Sequence, residues 1–365
     1  MNPLHTDFSE GACARQLATK QQRLREMLAP FGAPDAEVFP SAPVHYRQRA
    51  EFRVRIDGAD LHYLMFAGKH SRDAVRLAQF PVASRRINAL MAGLRERIPG
   101  SAVLRERLWQ VEFLDTLAGE SLLTLVYHRP LDEHWESAAR DLAASLGAQV
   151  LGRSRGQRIV LDRDWVTERL GVGERTLEYR QPEGCFTQPN AEVNRAMLGW
   201  ADAACTGAGG DLLELYCGIG NFTAAVGRHF GRVLATEIGS TATAAARHNL
   251  TVNGVEDAFI ARLSAAEAAS AIARERPYRR LAGFDLEVFR PGTLLVDPPR
   301  AGLDAATLEL ARGFRRILYI SCNPASLCEN LGVLGAAFRI RRAALFDQFP
   351  YTDHMECGIL LERDD

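Results

Sequence analysis

From about residue 190 onward the chain repeats one pattern: a short apolar run, a polar cluster, then a helical stretch. LLELYCGIGNF (212–222), RVLATE (232–237), TLLVDPP (293–299) and RILYISCNP (316–324) are four such runs. Strands that are apolar along their whole length are buried on both faces, as happens in a parallel sheet covered by helices. The pattern therefore predicts a doubly wound α/β unit. Ligands bind such sheets beyond the carboxyl ends of the strands, and every unusual polar cluster of this half falls at such an end.

The first half is patterned differently. Residues 13–30 read as an amphipathic helix carrying Leu17, Leu24 and Leu28 and stopped by Pro30, and 30–43 as a linker. Residues 45–67 alternate on both sides of Asp57-Gly58, which predicts a β-hairpin. Further strands are expected at 110–116, 121–128, 156–162 and 175–181, and helices at 84–98 and 134–147. This is an α+β arrangement with mostly antiparallel connections. Two domains are expected, 1–180 and 181–365.

Composition narrows the classes. A chain of 365 residues with 47% hydrophobic side chains can bury sizeable cores. A net charge of -1 gives no hint of a nucleic-acid partner. The seven cysteines form no C-x-x-C pair, so neither a metal nor an iron–sulfur cluster is expected. No segment reads as a signal peptide or a membrane span, and the expectation is a soluble, cytoplasmic protein whose thiols stay free.

Four motifs carry chemistry. Gly218-x-Gly220 opens a helix after an apolar strand, as phosphate- and nucleoside-binding loops do. Thr223 stands where a dinucleotide fingerprint has its third glycine, which counts against a nicotinamide oxidoreductase. Glu214 inside the preceding strand is a placement typical of enzymes that bind S-adenosylmethionine, and Glu237, at the end of the next strand, suits a ribose diol. Asp297 is followed by two prolines, which hold the chain direction there. Its carboxylate accepts only, so a ring N–H of a nucleobase is its natural partner.

Cys322 ends a third strand, and a helix N-terminus after Pro324 is expected to lower its pKa. A buried structural thiol is the alternative, and it is the reading for the other six cysteines. In the C-terminal stretch 344–361, Glu356 and His354 are both candidate bases; spacing favours Glu356 and leaves both open. A thiol, a base and a ring-recognising group beside a methyl donor match methylation at carbon 5 of uracil. That carbon becomes nucleophilic only after a thiolate adds to carbon 6.

Together these residues resemble the bacterial tRNA (uracil-5-)-methyltransferase family, which forms ribothymidine at position 54 of the T-loop. The resemblance runs from QLATKQQRLREMLAPF and RAEFR through FTQPN, LELYCGIGNF, LLVDPPRAGLD, ILYISCNP and LFDQFPYTDHMECG. It implies a Rossmann-like class I methyltransferase domain behind an antiparallel α+β RNA-binding domain. It further implies S-adenosylmethionine as methyl donor, held by Gln188, Tyr216, Asn221, Glu237 and Asp297. Cys322 becomes the nucleophile and Glu356 the base. A monomer acting on tRNA is expected. The same chemistry on ribosomal RNA is the nearest alternative, although many such enzymes carry a cysteine cluster near the N-terminus where this chain has only Cys13. An RNA-binding or RNA-folding module with little catalysis is another. For RNA contact, Arg47, Arg49, Arg53 and Arg55 share one strand face and can track phosphates, unless that face is merely solvated. The target uracil has to leave its stack, and Trp109 and Phe113 are candidates to fill the gap.

Overall fold

The computed structural model describes residues 6–66 and 74–363, arranged around two large sheets. Residue 67 of the expected hairpin lies outside them.

The first sheet has seven strands in the order Ala74–Leu77, Asp60–Phe66, Arg49–Asp57, Leu108–Asp115, Ser121–Tyr127, Gln149–Ser154 and Gln157–Val160. All neighbours are antiparallel except Ser121–Tyr127 and Gln149–Ser154, which the helix Glu133–Leu146 connects as a parallel crossover. The helices Arg85–Arg97 and Glu133–Leu146 bury Leu90, Met91, Leu94 and Trp135 in the same core as Phe52, Tyr63 and Phe113. Alternation along Arg49–Asp57 is as the sequence predicts: Ala50, Phe52 and Val54 face the core, while Glu51, Arg53 and Arg55 face out.

The second sheet has eight strands in the order Glu37–Phe39, Phe338–Phe346, Glu356–Arg363, Arg316–Ser321, Pro291–Val296, Asp211–Leu215, Arg232–Thr236 and Ala258–Ala261. Its neighbours run parallel, except that Glu356–Arg363 is antiparallel to both of its own. Leu294, Leu295, Ile317 and Leu318 are completely buried, as the unbroken apolar runs require. No helix among the described residues is long and apolar enough to cross a membrane.

The two cores do not part at residue 180. The helix Glu10–Leu28 buries Leu24 and Leu28 in the second core beside Leu327, Leu331 and Leu334. The stretch expected to be a linker contributes the edge strand Glu37–Phe39, whose Phe39 stacks on Phe346 at 5.0 Å. The hairpin of Trp165–Val172 and Arg175–Pro182 also lies on the second unit, with Leu170, Val172, Leu177 and Tyr179 in that core. Its backbone N–H groups at Glu178 and Arg180 donate to Asn253 and Asn249 of the helix Ser240–Val252. Those asparagines satisfy donors that a free hairpin edge would leave to water.

Replacing Leu24 by alanine should therefore weaken the second unit. We expect a loss of about 3 kcal/mol of unfolding free energy in chemical denaturation. A loss below about 0.5 kcal/mol, the range of surface substitutions, would contradict the packing of this helix.

Candidate active site

The strand Asp211–Leu215 ends in a turn that no ordinary backbone makes. Tyr216, Gly218 and Gly220 all have positive φ, at 61°, 56° and 79°. For the glycines this costs little, but a tyrosine held there stores about 1–3 kcal/mol of strain. The turn and the start of the helix Asn221–Val226 line one cavity. Asn221 is locked by a reciprocal pair of side-chain bonds with Asn194, at 3.0 and 2.9 Å.

Glu237 follows the neighbouring strand Arg232–Thr236. Its carboxylate accepts from the backbone N–H of Gly218 at 3.2 Å and of Gly239 at 2.7 Å. Both bonds fix its carboxylate at the cavity wall. Ile238 beside it is 69% exposed, an apolar plate next to this carboxylate. These features fit a nucleoside-bearing methyl donor. Glu214 does not reach the cavity: it is buried within its strand, and burial pushes its carboxyl up to about 8.

The cavity has a volume of about 520 Å³. Its walls include all seven residues expected from the sequence: Gln188, Tyr216, Asn221, Glu237, Asp297, Cys322 and Glu356. His354 is not among them. It is exposed and lies 3.3 Å from the Arg300 guanidinium.

Cys322 and Glu356 meet because the last strand is antiparallel. Ser321 pairs with Cys357, so the next step along one strand and the previous step along the other set Cys322 opposite Glu356. Asp297 closes the group from the end of Pro291–Val296. Burial dominates the protonation of all three. It pushes Asp297 up to about 7. It raises Glu356, only 2% exposed, well above the usual carboxylate range, with the charge of Asp297 adding to the effect. The Cys322 thiol rises to about 11 through burial, then Glu356 and Asp297, with Arg300 pulling the other way. The expectation of a lowered thiol pKa is thereby corrected. The helix Pro324–Leu334 does begin beside Cys322, but its first N–H groups are partly satisfied by Asn323, its cap. Two carboxyl groups in a dry pocket outweigh what remains.

Sequence reasoning missed three wall residues. Arg300, the last residue of the DPPR motif, is the cation of the cavity wall, and its carbonyl accepts from Asn323 at 2.8 Å. Phe186 of the FTQPN motif stands 68% exposed at the wall, and Ile238 is the third. A large apolar side chain next to a motif residue was the available signal.

The arginine row is only partly free for RNA. Arg47 is largely enclosed and donates to the Arg49 carbonyl at 2.6 Å, while Arg49 donates to the Cys185 carbonyl at 2.6 Å. Arg53 lies over the Trp109 ring at 4.8 Å, and Arg55 bonds Asp57. Trp109 is 37% exposed and stacks on His128 with centroids 4.5 Å apart. Phe113 is 1% exposed in the first core and is therefore excluded as a gap-filling residue.

Comparison with known proteins agrees with this geometry. Residues 12–364 match the family described as tRNA (Uracil-5-)-methyltransferase. The tRNA/tmRNA (uracil-C(5))-methyltransferase of Aromatoleum aromaticum is 55% identical over 350 residues, covering 96% of this chain and 95% of the relative. The protein of the same name from Pseudomonas entomophila is 55% identical over 348 residues, covering 95% and 96%. The crystal structure of a Pyrococcus abyssi tRNA (uracil-54, C5)-methyltransferase with S-adenosyl-L-homocysteine superimposes with a TM-score of 0.73 at 20% identity, covering 98% of this chain and 84% of that one, and shows the same fold. The chain thus belongs to the tRNA (uracil-5-)-methyltransferase family.

Proposed function

We propose that this enzyme methylates carbon 5 of uridine 54 in the tRNA T-loop through a covalent Cys322 adduct. The observation that carries the reading is the register that sets Cys322 opposite Glu356 in a cavity shared with the glycine turn and Glu237. The names of the relatives favour tRNA and tmRNA over ribosomal RNA as substrates. S-adenosylmethionine, when bound, supplies the methyl group that carbon 5 accepts.

The protein's own residues do the rest. Tyr216, Asn221, Glu237 and Gln188 hold the donor against the glycine turn. The Cys322 thiolate adds to carbon 6 of uracil, and the ring electrons move toward oxygen 4, making carbon 5 nucleophilic. Asp297 and Arg300 offer an acceptor and a donor to the ring edge. After carbon 5 is methylated, the Glu356 carboxylate takes its proton. The C–H electron pair forms the 5,6 double bond, and the C–S pair returns to Cys322. Burial raises the pKa of both Asp297 and Glu356, so their ionisation moves above the ordinary carboxylate range.

Three outcomes test this. tRNA carrying 5-fluorouridine should accumulate a covalent protein–RNA adduct, because fluorine cannot leave carbon 5 as a proton. Cys322→Ala should form none on denaturing gels, and full methylation by that variant would sink the mechanism. The rate should rise with pH through neutrality. Removing the negative charge of Asp297 lowers the pKa of both Cys322 and Glu356, so Asp297→Asn should move that rise to lower pH even as the maximum falls. A rise that stays in place would contradict the electrostatic coupling. Trp109→Ala should weaken tRNA binding by about 1–3 kcal/mol if the ring stacks on RNA, with kcat preserved; unchanged affinity in a filter-binding titration would remove Trp109 from the interface.

A further inference from the structure

The nine residues 347–355 connect Phe346 to Glu356, and these two are themselves a cross-strand pair. The segment is therefore a closed loop that starts and ends at the candidate base. The helix Glu10–Leu28 grips it through four hydrogen bonds. Lys20 Nζ donates to Asp347 Oδ1 and to the Phe349 carbonyl, both at 2.8 Å. One helical turn earlier, the Gln16 amide donates to the Thr352 carbonyl and accepts from the Tyr351 N–H at 3.2 Å. Lys20 and Asp347 are 4% and 0% exposed. All but two of the chain's 44 basic residues are arginine, yet the buried one is a lysine. A compact ammonium fits two converging oxygens where a planar guanidinium fork does not. On its far limb the loop reaches Arg300 of the cavity wall through His354.

We infer that Lys20 and Gln16 are positioning residues, which act through this loop to hold Glu356 in line with carbon 5 of the substrate. The inference rests on Glu356 being the base. A buried ion pair adds little net stability, and losing one partner strands a charge, so such a pair is better explained by the geometry it imposes.

The test uses Gln16→Leu, which leaves the ion pair intact, and the paired Lys20→Met/Asp347→Asn, which leaves no lone charge. Each is assayed on tRNA with protium or deuterium at carbon 5 of uridine. Positioning predicts a kcat loss of about 10- to 100-fold, unchanged KM for donor and tRNA, a larger deuterium isotope effect than the native enzyme, and accumulation of the covalent adduct. Native kcat overturns it, and so does a loss of kcat with an unchanged isotope effect and no adduct. Glu356→Gln is run alongside. If it traps adduct while the other variants do not, the base assignment stands and the positioning role fails. If Glu356→Gln traps none, the base assignment fails and takes the positioning role with it.

Discussion

One antiparallel strand in an otherwise parallel sheet sets the chemistry of this protein. Were Glu356–Arg363 parallel to Arg316–Ser321, its first residue would lie at the opposite end of the sheet from Cys322. Running backward, it begins where its neighbour ends, and the pairing of Ser321 with Cys357 brings a carboxyl and a thiol to one rim. Directly opposed side chains in an antiparallel pair stand about 5 Å apart at Cβ. Cys322, Glu356, Asp297 and Glu237 come from four different strand ends, so none of their proximity is local in sequence.

That convergence has an electrostatic consequence. Three acids around one cavity oppose each other's ionisation, since each negative charge raises the pKa of the others and burial raises all of them. Arg300 is the wall's counterweight, and it is exposed, so its field is partly screened. Glu237, on the same cavity wall, is instead held by two backbone donors, Gly218 and Gly239. Carboxylates with different tasks are separated by what surrounds them rather than by residue type.

Much of the second unit is legible in the sequence because its strands are buried on both faces, and a fully apolar run ending in a polar cluster is hard to mistake. The helices 84–98 and 134–147 are legible too, the latter closed by Gly147 at φ 58°. The strand Glu37–Phe39 is not: three residues are too few to show a period, and its partner lies some 300 positions away. The affiliation of the hairpin 165–182 is equally hidden, since alternation says that one face is buried but not against what. The Cys322 thiol was misjudged for a related reason. A helix N-terminus can be read from Asn323-Pro324, whereas the approach of Glu356 and Asp297 exists only in the folded chain.

The link between the two sheets combines one backbone bond with side-chain bonds to backbone. Gln48 N–H donates to the Pro189 carbonyl at 2.7 Å, and Arg49 reaches the Cys185 carbonyl, so the first sheet is bonded to both ends of the segment that carries Phe186 and Gln188. Asn190, at the end of that segment, donates its backbone N–H to the Gln348 side chain in the loop before Glu356 at 3.1 Å. The first sheet is thus anchored a few bonds from both the cavity wall and the loop that precedes Glu356. On the proposed reading the target pyrimidine leaves its stack to reach this cavity, on whose wall the exposed ring of Phe186 stands.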